Sequence, residues 1–147
     1  MDCNSKPPYK PSDDYTLVKV PEPFNIARSL NVGYAATKGE WLLFSNDDVL
    51  CEGKFADLVR GLDKDTLYAN AMMKRPSGLG MYPNNRAKIL YGWLMIIHRK
   101  LFNKLGPFDE NSVIGIDIEY SLRASEVRVP LVAAGLPFRH IHNHRRG

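Results

Sequence analysis

Two adjacent aspartates that follow a short apolar run are the residues of this chain best suited to chemistry. The run Trp41–Ser45 predicts a buried strand, and Asn46, Asp47 and Asp48 come directly after it. Buried carboxylates are costly unless they are paired or hold a cation. Their oxygen atoms suit Mg²⁺ or Mn²⁺, ions that commonly bridge protein carboxylates and substrate phosphates. A turn that ends the strand and caps the next helix explains the same residues, and this alternative stays open.

Other side chains with chemical potential lie further along the chain. Asp117 lies in a predicted short helix, where it could act as a general base or stabilise the helix N-terminus as a first-turn acid. His140, His142 and His144 alternate, which puts them on one face of a predicted strand. Arg28 could bind phosphate or be a solvated helix residue. Basic loop residues could add electrostatic stabilisation; they are Lys74, Arg75 and Arg86.

Hydrophobic periodicity and turn residues predict the elements that must position these side chains. The predicted helices are Phe24–Lys38, Phe55–Leu62, Arg99–Leu105 and Asp117–Ser125. The predicted strands are Thr16–Val20, Trp41–Ser45, Thr66–Met72, Leu90–His98, Val127–Ala133 and Leu136–His142. Residues 1–14 and 74–88 are expected to be loops. The alternation of predicted strands and helices along the chain indicates an α/β fold with a largely parallel sheet. In such a sheet ligands bind beyond the carboxyl ends of the strands.

Composition narrows the class of protein. The chain has 147 residues, 44% of them hydrophobic, which predicts one domain (1–147) with a real core. A net charge of +4 fits an anionic small substrate, an acidic membrane surface or nucleic acid. No predicted helix carries a basic stripe, so we expect no nucleic-acid partner. Two cysteines, no spanning apolar run and no signal-peptide pattern predict a soluble, cytoplasmic protein with free thiols.

Four segments occur in an order that is similar to a known family. They are Ala27–Gly33, Gly39–Asp48, Arg99–Glu110 and Gly115–Arg123, with the histidines beyond. From about Val18 to His142 the chain resembles the family 2 nucleotide-sugar glycosyltransferases. The resemblance implies a single GT-A-like, Rossmann-related α/β domain with a mostly parallel central sheet flanked by helices. The family's first strand and helix have no counterpart here, so the domain is expected to be N-terminally truncated.

The resemblance also implies roles for individual residues. The family's Asp-x-Asp-type motif is matched by Asn46-Asp47-Asp48, so Asp48 would bind Mg²⁺ or Mn²⁺. The nucleotide-sugar donor would contact four residues, Arg28, Asn31, Asn46 and Asp47. Asp117 would be the catalytic base, although Ile116 stands where the family has glutamate. His142 would complete the metal shell.

The function implied is transfer of a sugar from a nucleotide-sugar donor to a hydroxyl of a glycan, lipid-linked or protein acceptor, with inversion at the anomeric carbon. A peripheral membrane contact and a homo-oligomer through an exposed sheet edge are compatible with this prediction. Two alternatives stay open. One is a non-catalytic binding or assembly module on a degenerate GT-A fold, and the other is a metal-dependent nucleotidyltransferase.

Overall fold

A computed structural model describes residues 12–70, 89–90, 94–112 and 114–141. The helices in these ranges are α1 (Ile26–Ala35), α2 (Phe55–Val59), α3 (Arg99–Leu105) and α4 (Ile116–Glu126). The strands are β1 (Trp41–Ser45), β2 (Val49–Cys51), β3 (Leu67–Asn70), β4 (Leu94–His98), β5 (Leu131–Ala134) and β6 (Phe138–His140). None of the helices in the described ranges is long and apolar enough to cross a membrane.

Most predicted elements are present with shifted ends. Both β1 and α3 have the predicted bounds. Helix α1 begins after Asn25 because the Asn25 side chain accepts a hydrogen bond from the Arg28 N–H at 2.8 Å, as an N-cap residue does. It ends at Ala35, with Ala36 at its C-cap, before the predicted end at Lys38. The predicted strand Thr16–Val20 does not form, whereas the three-residue strand β2 was not predicted.

The main sheet has four strands in the order β1-β4-β3-β5. Strand β4 is antiparallel to both β1 and β3, and β3 is parallel to β5. The prediction of a largely parallel sheet was therefore wrong, because the sheet is mixed. All five residues of β4 are buried and the first four, Leu94–Ile97, are apolar, and a run of this kind fits either strand direction.

Strands β1, β3 and β5 point the same way, so their C-terminal ends lie at one end of the sheet, which we call the carboxyl edge. This name refers to the ends of the strands and not to an outer strand. Strand β4 begins at that edge, where Leu94 pairs with Ser45. At the opposite edge His98 pairs with Trp41. Any side chain that follows β1, β3 or β5 therefore starts from the carboxyl edge.

Helices and aromatic side chains cover one face of the sheet. This face carries α1, α3 and α4 and a cluster of buried rings, Phe44, Phe102, Phe108 and Tyr120. The other face is covered by α2 and by a two-stranded antiparallel ribbon of β2 and β6, around Tyr68, Leu94, Ile96 and Phe138. Phe108, in the cluster of rings, is 2% exposed.

Candidate functional site

Asn46, Asp47 and Asp48, which we call the acidic tip, lie at the carboxyl edge between β1 and β2. The side chains of Asn46 and Asp47 are exposed, whereas Asp48 is half-buried and its Oδ1 atom is buried. The carbonyl oxygen of Asp48 accepts a hydrogen bond from the Ile141 N–H at 2.7 Å. The backbone of the tip is thus held while two of its side chains face outward.

The β2–β6 ribbon fixes the direction in which the chain leaves the acidic tip. Val49 pairs with His140, and Cys51 pairs with Phe138. The Glu52 N–H donates to the Pro137 carbonyl at 2.7 Å, which extends the pairing beyond the strands. Cys51 is a free cysteine and is exposed.

Asn70, the last residue of β3, joins the main sheet to this ribbon. Its Nδ2 donates to the Phe138 carbonyl at 2.6 Å, and its Oδ1 accepts from the Leu136 N–H at 3.0 Å. Asn70 is 6% exposed, and its amide satisfies the Phe138 carbonyl and shares the Leu136 N–H with the Ala134 carbonyl. This side chain therefore holds the start of β6, and through β6 the acidic tip.

Helix α4 begins at the carboxyl edge. Near its middle the Ser121 Oγ accepts a hydrogen bond from the N–H of Leu90, which lies shortly before β4. Past its C-terminal end the Val129 N–H donates to Ala124, and β5 then starts at the opposite edge, where Leu131 pairs with Leu67. The first turn of α4, with Asp117, thus lies at the same edge as the acidic tip.

The first turn of α4 carries two acidic side chains. Asp117 is half-buried, and its Oδ1 accepts a hydrogen bond from the Ile118 N–H at 3.0 Å. Gly115 precedes the helix with a φ of 74°, a left-handed conformation that side chains disfavour. The carboxylate charge is favourable here because a helix N-terminus carries a partial positive charge.

Arg123 ties α4 to the segment that follows α3. Its guanidinium donates to Glu119 Oε1 at 2.6 Å and to the Pro107 carbonyl at 2.6 Å. The Tyr120 hydroxyl donates to the Gly106 carbonyl at 3.1 Å, and burial raises the pKa of Tyr120. Glu119 is therefore engaged in a structural ion pair, and of the two first-turn acids Asp117 is the better candidate for chemistry.

Arg28 and Asn31, predicted to contact the donor, bind the segment Phe108–Glu110. The Arg28 Nε donates to Glu110 Oε2 at 3.1 Å. Asn31 accepts from the Phe108 N–H at 3.0 Å and donates to the Phe108 carbonyl at 2.9 Å and to Glu110 Oε1 at 3.1 Å. These bonds, first Asn31 and then Arg28, lower the pKa of Glu110. The structure thus gives both residues a role in holding the fold.

The N-terminal half of α1 also points toward the carboxyl edge. At the other end of the helix, Thr37 accepts a hydrogen bond at 2.9 Å from Arg99, which directly follows β4 at the opposite edge. A helix of 10 residues spans about 15 Å, so its first turn reaches across the sheet. Arg28, Asp117 and the acidic tip therefore share one edge of the sheet.

The described residues fit a divalent cation only in part. Among them no group of three or more His, Cys, Asp and Glu side chains could hold a metal ion. Mg²⁺ is usually bound by one or two carboxylates together with substrate phosphates and water, and Asp47 and Asp48 meet that requirement. A metal at the tip would therefore need a bound ligand to help hold it, because the described protein atoms alone do not form such a site.

Several predicted site residues lie outside the described residues. They are His142 and His144 and the basic residues Lys74, Arg75 and Arg86. The backbone of His140 pairs with Val49 in the ribbon, next to the Ile141–Asp48 hydrogen bond. The predicted metal-binding role of His142 therefore stays a prediction.

Sequence reasoning missed Asn70 and Glu110. Both act through partners far along the chain, since Asn70 bonds to Phe138 and Glu110 bonds to Arg28. An asparagine at the end of an otherwise apolar, buried run is the one local signal that could have pointed to Asn70. No family model matches the chain, and searches of curated proteins and of solved structures gave no significant match.

Proposed function

We propose that this chain transfers a sugar from a nucleotide-sugar donor to a hydroxyl acceptor, on a fold of GT-A type. The observation that carries the proposal is that Asp48 and Asp117 lie at the same edge of the sheet. Ligands of α/β sheets bind at this edge. The reaction needs one group that binds the donor diphosphate and another that accepts a proton, and the two carboxylates come from different elements.

Asp117 is the proposed general base. Direct displacement at the anomeric carbon requires removal of the proton from the acceptor hydroxyl, and a carboxylate within hydrogen-bond reach can accept it. The Ile118 N–H holds Asp117 Oδ1 at 3.0 Å, which fixes the orientation of the carboxylate. A single displacement with a single base inverts the anomeric configuration.

The acidic tip is the proposed binding site for the nucleotide-sugar donor. Asp48, with Asp47 beside it, would hold Mg²⁺ or Mn²⁺ together with the donor phosphates, and His142 is the proposed third protein ligand. When bound, the cation neutralises charge that develops on the departing diphosphate. Asn46 is proposed to contact the donor directly. Arg28 and Asn31 support the same edge by holding Glu110.

Binding of nucleoside diphosphates tests the donor site. Isothermal titration of uridine, guanosine and adenosine diphosphates, with and without Mn²⁺, should show metal-dependent binding of at least one of them. Asp48→Ala should weaken that binding tenfold or more, which corresponds to about 1.4 kcal/mol or more. Asp57→Ala is the matched control, because Asp57 is an exposed helix residue paired with Arg60. Absence of any metal-dependent binding by the parent chain would favour the binding-module alternative and contradict the proposal.

The released product distinguishes the two enzymatic alternatives. A glycosyltransferase releases a nucleoside diphosphate, whereas a nucleotidyltransferase releases pyrophosphate. With a donor that binds, nuclear magnetic resonance of the product should show the inverted anomer. A product with retained configuration would exclude the direct displacement with Asp117 as base.

A further inference from the structure

We draw no further inference here: the strongest candidate, the surface patch of exposed apolar side chains on and just before α4 (Ile114, Ile118 and Leu122), carries nothing because no observation among the described residues shows what covers it.

Discussion

The N–H of Ile141 donates to the carbonyl oxygen of Asp48 across 2.7 Å, so the end of β6 lies against the acidic tip. Strand β6 is itself held by Asn70 at the end of β3. The backbone of the tip is therefore positioned by two strands besides β1. Such support matters for a metal or phosphate site, because ligating groups act only when their own positions are fixed.

Substitution of Asn70 should loosen the acidic tip from a distance. Asn70→Ala leaves the Phe138 carbonyl without the hydrogen bond from Asn70, while the Leu136 N–H keeps its bond to the Ala134 carbonyl. A buried unsatisfied group of this kind costs about 1–3 kcal/mol. We expect the free energy of unfolding in urea to fall by at least that amount, and Mn²⁺-dependent nucleotide binding to weaken as well. Asn111→Ala is the control, since the Asn111 amide bonds only locally, to Asp109. Unchanged stability of Asn70→Ala would contradict the role given to this side chain.

Removal of the proposed base should lower turnover without unfolding the chain. General bases contribute about 10²–10⁴-fold to rate, so Asp117→Asn should reduce kcat by such a factor. Glu126→Gln at the exposed C-terminal end of the same helix should keep the parent rate. Both variants should melt close to the parent chain by circular dichroism. A fully active Asp117→Asn variant would assign Asp117 to helix stabilisation alone.

The contacts of Glu110 predict a stability that depends on pH. Hydrogen bonds from Asn31 and Arg28 hold the pKa of Glu110 below its usual value. At pH values around the folded-state and unfolded-state pKa of Glu110, the folded chain therefore binds fewer protons than the unfolded chain. The stabilisation is present above the unfolded-state pKa and is lost as the pH falls through the lower, folded-state pKa. Glu110→Gln should therefore be less stable than the parent at pH 7, and the difference should shrink in acid. Urea unfolding across pH 7 to 3 measures it, and a difference independent of pH would exclude the carboxylate as its cause.

Two glycines at different backbone angles provide a matched pair. Gly115 has a φ of 74°, and a Cβ added there would lie at an ordinary 3.6 Å from Ile118 Cδ1, so backbone strain is the main cost. Gly115→Ala should destabilise the chain by about 1–2 kcal/mol. At Gly135 an added Cβ has no atom within 4 Å and φ is not left-handed, so Gly135→Ala should leave stability unchanged or slightly raised. Thermal unfolding measures both, and equal effects would contradict the strain argument.

Elements with clear local boundaries could be predicted from the sequence. Strand β1 ends at a polar triplet, and α3 is closed by Gly106-Pro107, and both have the predicted bounds. The direction of β4 could not be predicted, because an apolar run that is buried on both faces has the same pattern either way. Strand β2 is only three residues long, too short for a periodic signal.

The candidate site could be predicted in part for the same reason. The acidic tip follows a strand with a strong local pattern, Asp117 lies in the first turn of a predicted helix, and both lie at one edge of the sheet. Arg28 could not be assigned, because its partner Glu110 is 82 residues away and such pairings leave no local trace. The link from Asn70 to Phe138 spans 68 residues and escaped prediction likewise.

The central position of β4 has a consequence for synthesis. Strands β1 and β3 both pair with β4, which is encoded after both of them. While the chain is being translated, β1 and β3 cannot form their hydrogen bonds with β4 until Leu94–His98 have emerged from the ribosome. Sequestration of these segments by a holding chaperone during that interval would suppress aggregation of the nascent chain.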